Sequence, residues 1–188
     1  YNIIEKSGRR PYGAEGAARS SMKELCTDVG YVSINHIGEQ LCGDHVELVE
    51  QDGGDSLVLV LADGLGSGVK ASILSTLTAK IISTMMANDL PLEDCVQAIA
   101  KTLPICKVRG VAYSTFTILR VTASQEAEII QYDNPRVILL RDGKGTPYPI
   151  TERIIDGKAV AQSRVRLREG DTFVAVSDGV IHAGVGPK

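Results

Sequence analysis

The chain has 188 residues, 44% hydrophobic and 23% charged, an ordinary globular composition that argues against disorder and for one domain. Folding at this length buries about 70% of the unfolded chain's surface, enough for one substantial core. A net charge of −3, only 4% aromatic residues and no Trp disfavour a nucleic-acid partner or an anionic membrane surface. The same balance suits a site that holds cations.

No apolar run reaches the ~18 to 20 residues of a membrane span. The opening Tyr1-Asn2-Ile3-Ile4-Glu5-Lys6 lacks the pattern of a signal peptide. Cys26, Cys42, Cys95 and Cys106 are scattered without a C-x-x-C pair, which fits neither a disulfide scaffold nor a zinc site. These features predict a cytoplasmic protein with reduced, mostly buried thiols. The chain does not begin with Met and ends in Gly-Val-Gly-Pro-Lys, so it reads as a fragment at both ends.

Residues 1–24 are rich in Gly, Ala and Arg without a sustained period, and read as a linker or N-terminal arm with Arg9, Arg10 and Arg19 in solvent, contact with a phosphate or a partner being the alternative. Residues 25–188 read as the domain. Tyr31-Val32-Ser33-Ile34 alternates and predicts a short strand. A hairpin follows: residues 44–50 alternate, residues 56–62 are continuously apolar, and Gly53-Gly54 lies between them. The second strand is expected to be central.

The period then becomes helical. Ile73, Leu74, Leu77, Ile81, Ile82 and Met85 share one predicted face, with Ser67 as N-cap. A second helix follows Pro91, with Leu92, Cys95, Val96, Ile99 and Leu103 as its stripe and Pro104 as its stop. Strands are predicted at 111–121, 126–132, 136–141, 164–168 and 172–177. Asp142-Gly143 and Glu169-Gly170-Asp171 mark turns. The expected class is α+β, a sandwich of mainly antiparallel sheets with helices outside.

The hairpin carries the informative geometry. A turn centred near residues 53 and 54 places Asp44 opposite Asp63, with Cβ atoms ~5 Å apart. Two bare carboxylates at that distance repel by roughly 3 kcal/mol at an effective dielectric of 20. Such a pair needs a proton, a basic neighbour or a metal. The nearest base in sequence is His45, and hard oxygen donors without a His or Cys cluster favour Mg2+ or Mn2+ over zinc. The plain alternative is two solvated turn aspartates.

Ser177-Asp178-Gly179 follows the apolar TFVAV, repeating the pattern of Val60 to Gly64: a strand ending in Asp-Gly. Two such ends can converge at one sheet edge, where Gly lets the backbone approach a ligand. Asp63 to Gly68 can alternatively cradle a phosphate at a helix N-terminus, although the Walker A pattern is absent. There is no G-x-S-x-G, and His36, His45 and His182 have no nucleophile beside them in sequence.

Leu41-Cys42-Gly43-Asp44, then Leu61 to Ala71 (LADGLGSGVKA), then Ala175 to Val180 (AVSDGV) resemble the motif series of SpoIIE-type phosphatases. These are the bacterial branch of the PPM (protein phosphatase 2C-like) metal-dependent Ser/Thr phosphatases. Arg109-Gly110-Val111-Ala112 and Asp133-Asn134-Pro135-Arg136 stand where that family has a Gly-small segment and a Gly-x-Pro-type loop. The resemblance runs from about residue 30 to 184.

The resemblance implies an αββα sandwich with two Mn2+ or Mg2+ ions between the sheets. By motif, Asp44, Asp63, the Gly64 carbonyl and Asp178 are the metal ligands. Asp44 and Asp63 carry the catalysis, and Asp63 bridges the metals. The implied nucleophile is a metal-bridging water that attacks phosphoserine or phosphothreonine on a protein partner of stressosome or anti-sigma-antagonist type.

Two departures matter. The family's further Asp in a C-terminal strand is not present before Lys188, which leaves a non-catalytic binding or scaffold module as the alternative. The Arg near the first strand with which the eukaryotic members grip phosphate also has no clear equivalent; Arg9, Arg10, Arg109 and Arg136 are the candidates. A nucleotide-binding enzyme using the Gly-rich loop is the third reading. Loops 104–112 and 142–163, with the N-terminal arm, are the expected source of substrate specificity.

Overall fold

The computed structural model describes residues 25–35, 38, 40–51, 56–102, 114–155 and 158–183. The N-terminal arm, the Gly53-Gly54 turn, Leu103, Pro104 and the segment around Arg109 lie outside the described residues.

The hairpin strands are β1 (Asp44–Gln51) and β2 (Ser56–Gly64). They are followed by helices α1 (Gly68–Ala87) and α2 (Leu92–Thr102). Strands β3 (Ser114–Val121), β4 (Glu126–Tyr132), β5 (Ile138–Arg141), β6 (Lys144–Gly145), β7 (Thr151–Ile155), β8 (Lys158–Arg166) and β9 (Thr172–Val174) come next. The last element is the short helix α3 (Asp178–His182). A six-stranded sheet has the order β1-β2-β3-β4-β8-β7, and a three-stranded sheet the order β6-β5-β9. Every pairing is antiparallel. The chain is therefore α+β with two antiparallel sheets, as the pattern of elements predicts.

Strand β2 shows why the layers form. Its side chains alternate between two cores. Val58, Val60 and Ala62 join α1 and α2 in one cluster with Phe116, Ile118 and Ile130. Leu59 and Leu61 join the other, with Ile129, Leu139 of the small sheet, and Val165. Each fully buried Val or Leu contributes about 1.5–3 kcal/mol. A strand paired on both edges and covered on both faces can be apolar throughout, which is how residues 56–62 read.

The small sheet is tied down by Arg141. Its Nε and Nη2 donate to Asp171 Oδ1 and Oδ2 at 2.7 and 2.8 Å, and Nη2 also donates to the Arg166 carbonyl at 3.0 Å. The Arg168 amide donates to Asp171 Oδ2 at 2.9 Å. Burial alone would raise the Asp171 pKa, but these donors outweigh it and hold the carboxyl below its usual value.

Several expectations are corrected. Residues 31–34 form no strand; Tyr31, Val32 and Ile34 are exposed, and the Ile34 carbonyl accepts from the Cys42 thiol at 3.8 Å rather than from a neighbouring strand. Helix α1 buries Ala71, Leu74, Ser75, Thr78, Ala79, Ile82, Ser83 and Met86, while Ile73 and Leu77 face solvent. Small side chains let the helix lie close to the sheet. The buried hydroxyls of Ser75, Thr78 and Ser83 donate to the carbonyls of Ser72, Leu74 and Lys80 within the helix, so polar residues sit there without loss.

Ser67 is the N-cap of α1 in extended conformation, without a side-chain capping bond. Helix α2 buries Cys95, Val96 and Ile99 as its stripe predicts. Strands β6 and β7 are additions to the predicted set, and β8 begins at Lys158 rather than 164. Of the described thiols only Cys95 is buried; Cys26 is exposed and Cys42 half-buried. Among the described residues no helix is long and apolar enough to cross a membrane.

Candidate functional site

The register of the hairpin pairs Asp44 directly with Asp63 at its open end. Strand β2 continues to Gly64, whose amide donates to the Gly43 carbonyl at 3.1 Å. A Cβ on Gly64 would collide with the Ala71 backbone, its carbonyl carbon only 2.7 Å away. Glycine is thus required for the first turn of α1 to close on the strand end. The Gly64 and Gly66 carbonyl oxygens crowd Gly43, 3.6 and 3.4 Å from where a side chain would begin. Backbone oxygens are therefore gathered beside Asp44.

The third acid arrives from the far end of the chain. Ser177, fully buried, caps α3, and its Oγ donates to Asp44 Oδ2 at 2.7 Å. Asp178, the next residue, opens α3 close enough to Asp63 to raise its pKa. The Asp63 carboxyl is pushed up to about 8, by burial first and then by the charges of Asp44 and Asp178. All four residues that the motifs single out are thereby brought to one corner. Among the described residues no three acids, histidines or cysteines close into a ready metal cage. The acids instead gather around Asp63, whose carboxyl feels both neighbours.

This corner is one end of an open cleft of about 1260 Å³ that runs over the sheet end to β7 and β8. Asp133 to Arg136 form its wall. That loop is braced from behind. Asn134 Nδ2 donates to Thr117 Oγ1 at 3.1 Å, and Thr115 Oγ1 donates to Asn134 Oδ1 at 3.3 Å. Gln131 Nε2 donates to the Pro135 carbonyl and to Thr117 Oγ1, while its Oε1 accepts from the Val137 amide at 3.3 Å.

Other candidates fall elsewhere. His45 is engaged by Glu47 at 3.2 Å, and Lys80 Nζ holds the other Glu47 oxygen at 2.6 Å. Strand alternation turns His45 away from the face of Asp44. His182 is exposed at the end of α3. His36, Arg9, Arg10 and Arg109 lie outside the described residues. Arg136 lines the cleft but pairs with Glu152 at 3.0 Å. Sequence reasoning missed Ser177 as the partner of Asp44, although it immediately precedes the Asp-Gly motif. It also missed Lys158, Tyr132 and Glu152, which no motif marks and which only the sheet order brings to the cleft.

The fold is shared with solved structures. The PP2C phosphatase domain of the cell-fate determinant SpoIIE from Bacillus subtilis, solved with a fragment of its regulatory domain, superposes with a TM-score of 0.69 at 15% identity; the match covers 99% of this chain and 55% of that one. The RsbU and RsbW domains of Rv1364c from Mycobacterium tuberculosis give a TM-score of 0.63 at 20% identity, covering 82% and 44%. RsbX in complex with magnesium gives 0.58 at 24% identity, covering 79% and 72%. The chain thus spans about half the length of the first two. No curated protein matches it. Residues 53–187 match the family described as Stage II sporulation protein E (SpoIIE). Their span takes in Asp63, the Gly-rich loop and Asp178, so both motif and fold lead to one assignment: the chain belongs to the SpoIIE family, on a PP2C-like phosphatase fold.

Proposed function

We propose that this chain hydrolyses phosphoserine or phosphothreonine on a bacterial signalling protein, using two Mn2+ or Mg2+ ions. The observation that carries the reading is the meeting of Asp44, Asp63 and Asp178, with Asp63 and Asp178 lining one end of an open cleft. Carboxylates and a backbone carbonyl are hard oxygen donors, which fit these cations. A carboxyl pushed up to about 8 by burial and two like charges marks a cluster that protons or cations must neutralise.

In this reading Asp44, Asp63, the Gly64 carbonyl and Asp178 hold the ions. When bound, the ions supply charge neutralisation for the phosphoryl oxygens and an acidified water as nucleophile. The chain's own parts do the positioning. Ser177 fixes the Asp44 carboxylate, and the contact of Gly64 with Ala71 fixes the Gly-rich loop. The braced Asp133–Arg136 loop gives the substrate segment a rigid wall. The cleft is open enough to admit a protein loop.

The magnesium in the RsbX structure supports the choice of cation, and a fold match to a bacterial stressosome structure (TM-score 0.63, 22% identity) supports a phosphoprotein substrate of stressosome or anti-sigma-antagonist type. The test is Mn2+-dependent phosphate release from p-nitrophenyl phosphate, abolished by Asp63→Asn. Undiminished turnover in that variant overturns the assignment.

One observation favours a second reading, a non-catalytic scaffold that keeps the fold. Among the described residues the acids do not close into a metal cage. Titration calorimetry separates the two: a scaffold gives no Mn2+ binding heat.

A further inference from the structure

We propose that the end of the cleft remote from the acids is an anion subsite, built by Lys158 and Arg136, that selects phosphoprotein segments carrying a second acidic side chain. The proposal rests on the phosphatase reading for what occupies the near end. The distal end is argued from its own residues.

The sheet order sets the distance. Asp63 ends β2, Lys158 opens β8, and Glu152 lies on β7. From β2, strand β8 is three places away and β7 is four. Strands lie ~4.8 Å apart, so the subsite stands about 14–19 Å from the acid cluster. The cleft is continuous between them, lined at one end by Asp63 and Asp178 and at the other by Arg136, Glu152 and Lys158.

Both cations are available to a ligand. The Lys158 ammonium lies 5.1 Å from the centroid of the Tyr132 ring and donates to its hydroxyl at 3.4 Å. Among the described residues no carboxylate reaches it within ion-pair distance. Tyr132 is itself buried against Phe116, with ring centroids 5.6 Å apart, so the platform under the ammonium is fixed. Arg136 is paired with Glu152, but the two side chains are 47% and 66% exposed. An exposed pair of that kind is weak and exchanges readily for an incoming carboxylate. The loop carrying Arg136 is held by the Asn134 and Gln131 bonds, so the guanidinium is offered from a stable base.

An extended segment advances ~3.3 Å per residue. With the phosphorylated residue at Asp63, an acidic side chain about four to six residues away reaches Lys158 and Arg136. Asp133, at the end of β4, lines the cleft between the two ends and disfavours an acid placed nearer.

The experiment uses synthetic phosphoserine peptides with Glu at four to six residues on either side, and counterparts with Gln. The full chain should prefer a Glu peptide by about fivefold in kcat/KM, as two screened ion pairs predict, and lose the preference in high salt. Lys158→Glu with Arg136→Glu should invert the preference toward peptides with Lys there, an outcome that loss of folding cannot mimic. Fluorescence anisotropy of the same peptides without phosphate reads the subsite apart from catalysis. Acid preference in anisotropy without hydrolysis of any peptide leaves the subsite standing and removes the phosphatase reading. Hydrolysis with equal rates for Glu and Gln peptides, or no inversion in the double variant, overturns the subsite.

Discussion

The Ser177 hydroxyl donates to Asp44 Oδ2 at 2.7 Å, joining residues 133 positions apart. It ties the β1 end to the β9–α3 loop, beside the approach of Asp178 to Asp63 and the burial of Ala175. A buried hydrogen bond to a charged acceptor is worth about 1.5–3 kcal/mol. Ser177→Ala should therefore lower unfolding free energy by about that amount in urea. It should also raise the Mn2+ concentration needed for half-maximal activity, since Asp44 loses its orientation. An unchanged urea midpoint together with an unchanged Mn2+ requirement refutes the role.

Asp63 makes metal-free stability depend on pH. Its folded pKa, about 8, lies above the ordinary value of 3.8. The folded state then binds the proton more tightly than the unfolded chain. The associated stability is full below 3.8 and is lost as pH rises through about 8. Asp171 works in the opposite sense: its carboxyl is held low, so its contribution is present above its ordinary value of 3.8 and is lost only under more acidic conditions. In chelator, the melting temperature should fall between pH 5 and pH 9, and Asp63→Asn should flatten that fall. Mn2+ should stabilise more at the alkaline end, where it no longer competes with a proton. A flat wild-type profile in chelator counts against the cluster.

The pairing of Asp44 with Asp63 was legible because an antiparallel hairpin with a short symmetric turn leaves one register. The convergence of Asp178 was legible only as a repeated strand-Asp-Gly pattern, since nothing local brings residue 178 to residue 63. The buried face of α1 was misread because apolar periodicity drew Ile73 and Leu77 inward. Close approach to the sheet selected Ala71, Ser75, Thr78 and Ala79 instead. Strand β7 left no signal because four of its five residues are exposed. Lys158 and the Arg136–Glu152 pair were beyond reach, because their place in the cleft follows from the order β4-β8-β7.

Gly64 and Gly66 are both glycines of the same loop, but for different reasons. At Gly64 the obstacle is the Ala71 backbone, which cannot swing aside as a side chain can. Gly64→Ala should cost about 1–3 kcal/mol or more and displace the start of α1. At Gly66 the surroundings are open and φ is +98°, so the penalty is backbone strain alone, about 1–2 kcal/mol. Thermal melts of the two variants should therefore differ in the accompanying Mn2+ response, which Gly64→Ala loses and Gly66→Ala largely keeps. Equal loss in both would mean that the loop's conformation matters and its contact with α1 does not.

Gln131 is the test of whether the cleft wall is built or incidental. The side chain is 4% exposed and spends its amide on the Pro135 carbonyl, Thr117 Oγ1 and the Val137 amide. Gln131→Leu keeps the volume and removes every one of those bonds. A buried donor or acceptor left unsatisfied costs about 1–3 kcal/mol, so global stability should fall by that order. The local effect should be larger than the global one, because Asp133 to Arg136 lose their brace while β3 and β4 keep their ladder. Hydrogen exchange should quicken at the Val137 amide and in the loop before it, with Ile129 and Ile130 still protected. Exchange that quickens evenly along β4 would mean that Gln131 supports the sheet, and that the wall stands without it.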